Sequence, residues 1–319
     1  MTSPGSPSQA GVVAHNLAIE AELARASQAL QDAGVDHVVL KGVTLMRRLG
    51  VPISTRRVAD NDLLVRGGDV GRAVAALARA GWEPTLPAPR GRRQREEKEL
   101  CLVARRAGVG LSLVDLHWHA ADPLLYGLDE GTVWAHTELV EAPGGGTYRV
   151  LDGTLATVAL AAHWAQHGMG TDWTLERLAQ AWNLWGGPRV LVLARESGLG
   201  ATLAYGLGVA RSRGLLDRPP PPPGPARARL LARWAPQGLS RTRHSEYGNA
   251  LLAAALAGPT RATSWSMARA FPPMESLAAI YRRPTSAWLY LTYLTRPLRP
   301  LRRLKDGSGR LVPTRPEPR

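Results

Sequence analysis

The sequence predicts an α+β fold: a small mixed β-sheet flanked by helices, followed by a mostly helical C-terminal region. Three observations carry this expectation. Short β-branched runs alternate with helical periodicity through the first 150 residues, a hairpin signature closes that stretch, and from Leu155 onward the apolar residues recur almost only at helical spacing.

Taken in order, residues 12–33 show apolar positions at helical spacing and meet a stop signal at Gly34. "VDHVVL" at 35–40 is short and β-branched, as expected of a buried strand. "VTLMRRLG" reads as a short helix and "DNDLLV" at 60–65 as a second strand. "GGDVGRAVAALARAGW" gives an amphipathic helix ending at Gly81. The run "RGRRQREEKE" at 90–99 reads as a charged loop or solvated strand edge, and "CLVARRAGVGLSLVDLHW" as a hairpin turning near Ala107 to Gly110. Strands of mixed direction follow, because a hairpin is antiparallel while a strand-helix-strand unit is usually parallel. The expected organisation is a disordered leader over 1–11, an α/β domain over 12–150, a helical domain over 151–295 and a basic tail over 296–319. A proline-rich connector at 218–226 interrupts the helical domain.

The chain has 319 residues and a net charge of +14, but the charge is unevenly placed. Residues 1–210 carry 20 Lys+Arg against 21 Asp+Glu, a net of −1, while residues 211–319 carry 20 against 5, a net of +15. The basicity belongs to the C-terminal third and is almost all arginine. It is not interleaved with aromatics in the manner of a nucleic-acid surface, so a nucleic-acid partner is disfavoured; a solvated tail and a surface for an acidic acceptor are the two main readings, ahead of an anionic membrane surface. The single cysteine, Cys101, rules out an intramolecular disulfide and fits a reducing compartment. With no secretory signal and no spanning apolar run, the expected location is cytoplasmic.

The chemistry concentrates around "HVVLKG" and "DNDLLV". Alternate strand residues share a face, so Asp60 and Asp62 project together while Asn61 points the other way. Two adjacent carboxylates repel and are costly to bury unless something neutralises them. A divalent cation does so, and Mg²⁺ suits one or two carboxylates together with substrate phosphates. The motif alone is weak, since Glu97 and Glu99 repeat the spacing without such context. Lys41 and Gly42 end the preceding strand where phosphate can approach, and Asp115 of "LSLVDLHW" supplies a third carboxylate. Three carboxylates on neighbouring strand ends describe a two-metal site.

Together, "LKG", Arg56, "DNDLLV", "AVAALARAGW", "VDLHW" and "LAAHWAQHG" resemble the uncharacterised nucleotidyltransferase-like proteins of the DNA polymerase β-type nucleotidyltransferase superfamily, over roughly residues 12–185. The resemblance implies metal-dependent transfer of a nucleoside monophosphate from a nucleoside triphosphate to an acceptor hydroxyl or phosphate. On it, Asp60 and Asp62 hold two Mg²⁺ ions, with Mn²⁺ an alternative, and Asp115 completes the site of one. Lys41, Gly42, Thr44 and Arg56 serve the nucleotide, and His117 supports the carboxylates from behind. The acceptor is a small molecule, peptide or protein, of the kind met in natural-product or modified-peptide biosynthesis. Departures are visible: Val43 stands where the superfamily has serine after the glycine, leaving Thr44 to supply a hydroxyl. Asn61 replaces an aliphatic residue, and Gln180 lies near where an acid is common.

Other readings compete. Arg56 serves equally as an ion-pair partner of Asp60 or Asp62. His117 and His119 with Asp115 lack the further ligand pair a zinc site needs. His163 and His167 lie four apart on a helical pattern and fit packing roles, the alternative being a helix-borne histidine that reaches the mouth of the site. A non-catalytic nucleotide-binding or interaction protein that keeps the fold is the main functional alternative. A nucleotide-sugar glycosyltransferase is disfavoured because only about 59 residues precede Asp60, short of the nucleotide-binding α/β domain such enzymes place before an Asp-x-Asp motif.

Overall fold

The computed structural model describes residues 8–106, 110–143, 145–168, 172–219 and 253–270. Residues up to 266 form one compact unit; of the second unit, from 267, only 267–270 are described. The turn at 107–109, the connector from 220 onward, the tail at 296–319 and the side chain of His167 lie outside the described residues.

The chain runs α1 (Gln9–Asp32), β1 (His37–Val39), α2 (Gly42–Arg48), β2 (Asn61–Val65), α3 (Val70–Arg79), β3 (Glu83–Pro84), α4 (Gly91–Glu96), β4 (Glu99–Arg106) and β5 (Gly110–His117). It continues with α5 (Glu130–Ala135), β6 (Thr137–Glu141), β7 (Thr147–Leu151), α6 (Gly153–His163), α7 (Asp172–Trp185), α8 (Pro188–Glu196), α9 (Gly200–Ser212) and α10 (Pro259–Ala270). The seven strands make one mixed sheet in the order β3-β4-β5-β2-β1-β7-β6. The predicted α+β class, mixed sheet and helical C-terminal region are all present.

Alternation along the strands separates two cores. Leu63, Val65, Leu100, Leu102, Val114 and Leu116 meet Leu23, Leu30, Val74 and Leu77 of α1 and α3 on one face. Val38 and Leu64 meet α6, α8 and α9 on the other, through Leu155, Val158, Leu193 and Leu203. The polar strand residues described below collect on this second face. No described helix is long and apolar enough to cross a membrane.

Two local expectations change. First, β1 and β2 are antiparallel, pairing His37 with Val65 and Val39 with Leu63. A parallel crossover needs a helix that travels back along the sheet, whereas the seven residues of α2 stay at one end of β1 and the chain returns from there. The parallel pairs are instead β2 with β5 and β1 with β7. Second, part of the charged run at 90–99 is helical: Arg92 and Arg93 pair with Glu96 and Glu97 at i,i+4 in α4, and Arg93 is buried with Nη1 on Pro87 O at 3.1 Å. The segment after α5, for which the sequence carries no expectation, adds the antiparallel pair β6–β7, whose outer strand is largely exposed.

Gly206 in α9 shows how closely the helical layer packs. A Cβ there would lie 2.7 Å from Leu178 Cδ2 and 3.1 Å from the Trp164 ring. Gly206→Ala is therefore expected to lower stability by about 1–3 kcal/mol, read from denaturant unfolding.

Candidate active site

The loop before β2 is fixed by α1. Asn16, fully buried, donates from Nδ2 to Ile53 O at 2.6 Å and Arg56 O at 2.7 Å, and its Oδ1 accepts from Val58 N at 2.9 Å. Asn61 is buried too, and its Nδ2 donates to Ile19 O at 3.1 Å. The amide that looked out of place on a core-facing position ties β2 to α1 and satisfies its own polarity. That anchoring sets the phase of the strand, so Asp62 points to the opposite face.

Register then assembles the cluster. Asp62 lies directly beside Asp115 in the parallel β2–β5 pair, Cys101 beside Asp115, and Glu99 beside His117 in the antiparallel β4–β5 pair. All five side chains belong to the face opposite Leu63, Val114, Leu116 and Leu100. Asp60, half-buried, stands immediately before β2. Lys41 caps α2 at the end of β1 and places Nζ 2.8 Å from Asp62 Oδ1. His117 Nε2 donates to the same oxygen at 3.0 Å, while its Nδ1, 3.3 Å from Glu99 Oε2, makes no hydrogen bond. Lys98 pairs with Glu99 at 2.8 Å.

These contacts divide the carboxylates electrostatically. Burial opposes ionisation of Asp62, which is 4% exposed, but Lys41 and the His117 hydrogen bond outweigh it and hold the carboxyl well below the usual range. Lys41 is raised in turn, its burial outweighed by Asp62. Asp60 is pushed the other way, to about 6, by burial and by the charge of Asp62. Asp115 is also raised, by burial and then by Asp62 and Glu99, against a hydrogen bond from the Cys101 thiol. That thiol is pushed up to about 12 by burial and Asp115, so it is no nucleophile. Glu99 is lowered to about 2 as the charges of His117 and Lys98 outweigh its burial.

Of the other residues singled out, Gly42 opens α2 at φ +76°, a conformation glycine adopts without strain. Thr44 is buried in α2 with its hydroxyl unpartnered, and it lines neither of the pockets beside Lys41. Arg56 makes neither of the ion pairs weighed for it: its guanidinium lies 3.7 Å from the Trp173 ring centroid, with Nε donating to Arg57 O at 3.2 Å. His119 turns away from the cluster to Gln94 O. His163 ends α6, where the helix widens into a π turn over Trp164–Gly168, and it lines the pockets on both sides of Lys41. Sequence reasoning missed Glu99, Lys98, Trp173 and Arg177. Glu99 carried a usable signal: it is two residues before Cys101 in a strand that must pair with the one bearing Asp115 and His117.

A mixed sheet bearing aspartates side by side on its central strands, with a strand-ending Lys-Gly pair next to them, has the features of a nucleotidyltransferase-like protein. The chain belongs to the family described as uncharacterised nucleotidyltransferase, which matches residues 7–214. Among solved structures it is similar to an antigenic nucleotidyltransferase-like protein from Paracoccidioides brasiliensis, at 13% identity and a TM-score of 0.40, covering 63% of this chain and 88% of that one. No curated protein matches.

Proposed function

We propose that the protein transfers a nucleoside monophosphate from a nucleoside triphosphate to a hydroxyl or phosphate of a small-molecule, peptide or protein acceptor. Asp60, Asp62 and Asp115 would hold Mg²⁺ for this reaction. The observation that supports the reading is surplus negative charge. Asp62 has Lys41 and His117, whereas Asp60 and Asp115 have no ion pair among the described residues, and both keep their protons to higher pH than a free carboxylate. Hard oxygen donors with unbalanced charge match a hard divalent cation. Among the described residues no three His, Cys, Asp or Glu side chains stand ready as a metal cage. The carboxylates would therefore turn toward the ion as it binds.

Mg²⁺, when bound, supplies positive charge for the triphosphate and acidifies the acceptor hydroxyl. The chain's own residues prepare the site. Lys41 neutralises Asp62 in the free protein and stands ready to exchange that contact for phosphate oxygens. His117 fixes the rotation of the Asp62 carboxylate, and Glu99 and Lys98 hold the far side of the imidazole in a polar environment. A second pocket beside Lys41, lined by Leu40, Leu151, Ala156 and Leu160 with His117 and Gln166, offers an apolar wall to the part of a substrate that does not react.

Incubation with each α-labelled nucleoside triphosphate and Mg²⁺ tests the proposal, with candidate acceptors drawn first from natural-product and modified-peptide biosynthesis. Pyrophosphate release with transfer of label is expected. Asp115→Asn is expected to lose turnover while retaining nucleotide binding. Nucleotide binding indifferent both to Mg²⁺ and to Asp62→Asn would overturn the assignment.

A further inference from the structure

The pocket between α6 and the second face of the sheet encloses about 470 Å³, counting the part open to solvent. Ala156, Ala159, Leu160 and His163 recur at helical spacing, so one face of α6 forms its wall, and Leu40 and Leu151 close it from the ends of β1 and β7. The small side chains of the two alanines leave the room. At the rim α6 widens into the π turn over Trp164–Gly168, a distortion frequent at functional sites, and Gln166 of that turn faces the pocket.

The charges around this pocket are already balanced. Lys41 pairs with Asp62 and Lys98 with Glu99, each at 2.8 Å. Gln166 alone of the polar side chains in the lining has no partner among the described residues. A sugar or a polyamine placed here would bury several hydroxyls or charges against leucine and alanine with one amide to meet them, which is unfavourable. A compact apolar body carrying one hydroxyl meets no such penalty. The place of the pocket in the fold says which substrate it serves. Asp60, Asp62, Asp115 and Gly42 do not line it, so it lies beside the triphosphate's path and not on it. It is joined instead to the strand of Asp115: His117 lines it, and Asp115 stands two residues earlier on the same face of β5, about 7 Å along the strand.

We infer that this pocket selects the acceptor, and that the acceptor is an uncharged alcohol whose compact aliphatic or aromatic group packs on Ala156, Ala159 and Leu160. The inference rests on the nucleotidyl-transfer reading, which supplies the donor. The alcohol oxygen bonds the α-phosphorus of the nucleoside triphosphate, pyrophosphate leaves, and the hydroxyl proton passes to a carboxylate of the cluster. Gln166 orients the acceptor through a hydrogen bond, and Ala159, half-buried at the wall, sets the size of the group admitted.

The test is saturation-transfer NMR on the full chain with isoamyl alcohol and phenethyl alcohol as probes and glycerol as the polar control. Two variants narrow the pocket from one position, Ala159→Val slightly and Ala159→Leu nearly to closure, and melting temperatures no lower than wild type show that they are folded. If Ala159→Leu melts lower, Ala159→Val carries the comparison. The wild type is expected to bind both alcohols and not glycerol. Ala159→Leu is expected to weaken both by on the order of tenfold or more, the factor carried by about two buried methylene groups, and Ala159→Val to weaken the bulkier phenethyl alcohol more. ATP with Mg²⁺ is expected to bind all three proteins alike and to leave the probes in place. A wild type that binds neither alcohol, or binds glycerol equally well, would overturn the inference, as would equal binding of the alcohols by all three proteins. Weaker ATP binding in Ala159→Leu with unchanged binding of inorganic tripolyphosphate would put the nucleobase in the pocket and overturn it too. Alcohol binding that depends on Ala159 in a protein that transfers no nucleotide would uphold the preference of the pocket and remove the proposed reaction.

Discussion

Asp62→Asn is expected to abolish nucleotidyl transfer, by about 10³-fold or more, and also to destabilise the free protein by about 3–5 kcal/mol. Asp62 is buried and accepts from Lys41 Nζ and His117 Nε2, so neutralising it leaves Lys41 facing an amide at the edge of the core. Asp60→Asn should be as damaging to transfer but neutral or stabilising in the fold. Asp60 has no ion pair among the described residues and is repelled by Asp62, so its charge is a burden until a cation arrives. Urea unfolding of the two variants without Mg²⁺ separates the roles. Equal stability changes would show that the Lys41–Asp62 contact contributes nothing, and full turnover in either variant would remove both from the reaction.

The sequence alone treats these aspartates as equivalent, since strand alternation places both on one face and is silent about what opposes them. Lys41 was legible as a charge near the cluster because it ends a β-branched run before glycine. Its commitment to Asp62 rather than Asp60 depends on the antiparallel return of β2, which a short helix made hard to foresee. Glu99 was hidden by its company: in "EEKE" a carboxylate looks solvated, and only the β4–β5 register turns it toward His117. The same composition effect disguised α4, whose ion pairs are local but whose buried Arg93 is not. Asn61 looked like a departure from the family pattern because its partner, a backbone carbonyl of α1, lies 42 residues away. Residues paired within a strand or a helical turn were readable, whereas those whose roles are set by sheet order were not. Arg177 is of the second kind, because an arginine on an amphipathic helix looks like a surface residue until the helix is docked.

The pH dependence of the free protein should carry the signature of this divided cluster. Asp60 titrates at about 6 in the folded chain against about 4 when unfolded, so the folded state keeps its proton to higher pH. By linkage, stability falls wherever the native state binds more protons than the unfolded one. The Asp60 contribution is most favourable below about pH 4 and is lost as pH rises through 6, worth up to about 3 kcal/mol, with Asp115 adding in the same direction. Asp62 and Glu99 have lowered values and act oppositely: their stabilisation is present above the unfolded value and is lost as pH falls, for Glu99 through about 2. The two effects occupy different windows, so they can be told apart. His37 and His119, whose values are lowered by burial, add stability as pH rises in the same window. The decline in unfolding free energy from pH 4 to pH 7 is therefore read as wild type relative to Asp60→Asn, which should lack it. Millimolar Mg²⁺ should remove it from the wild type as well, because an ion held by ionised carboxylates favours their unprotonated form and stabilises the state that binds it. A decline that persists unchanged in Asp60→Asn would place the titrating group elsewhere. A wild-type profile insensitive to Mg²⁺ and Mn²⁺ at pH 7 would mean that the surplus charge of Asp60 and Asp115 is not a cation site in the free protein, and that any metal must arrive already bound to the nucleotide phosphates.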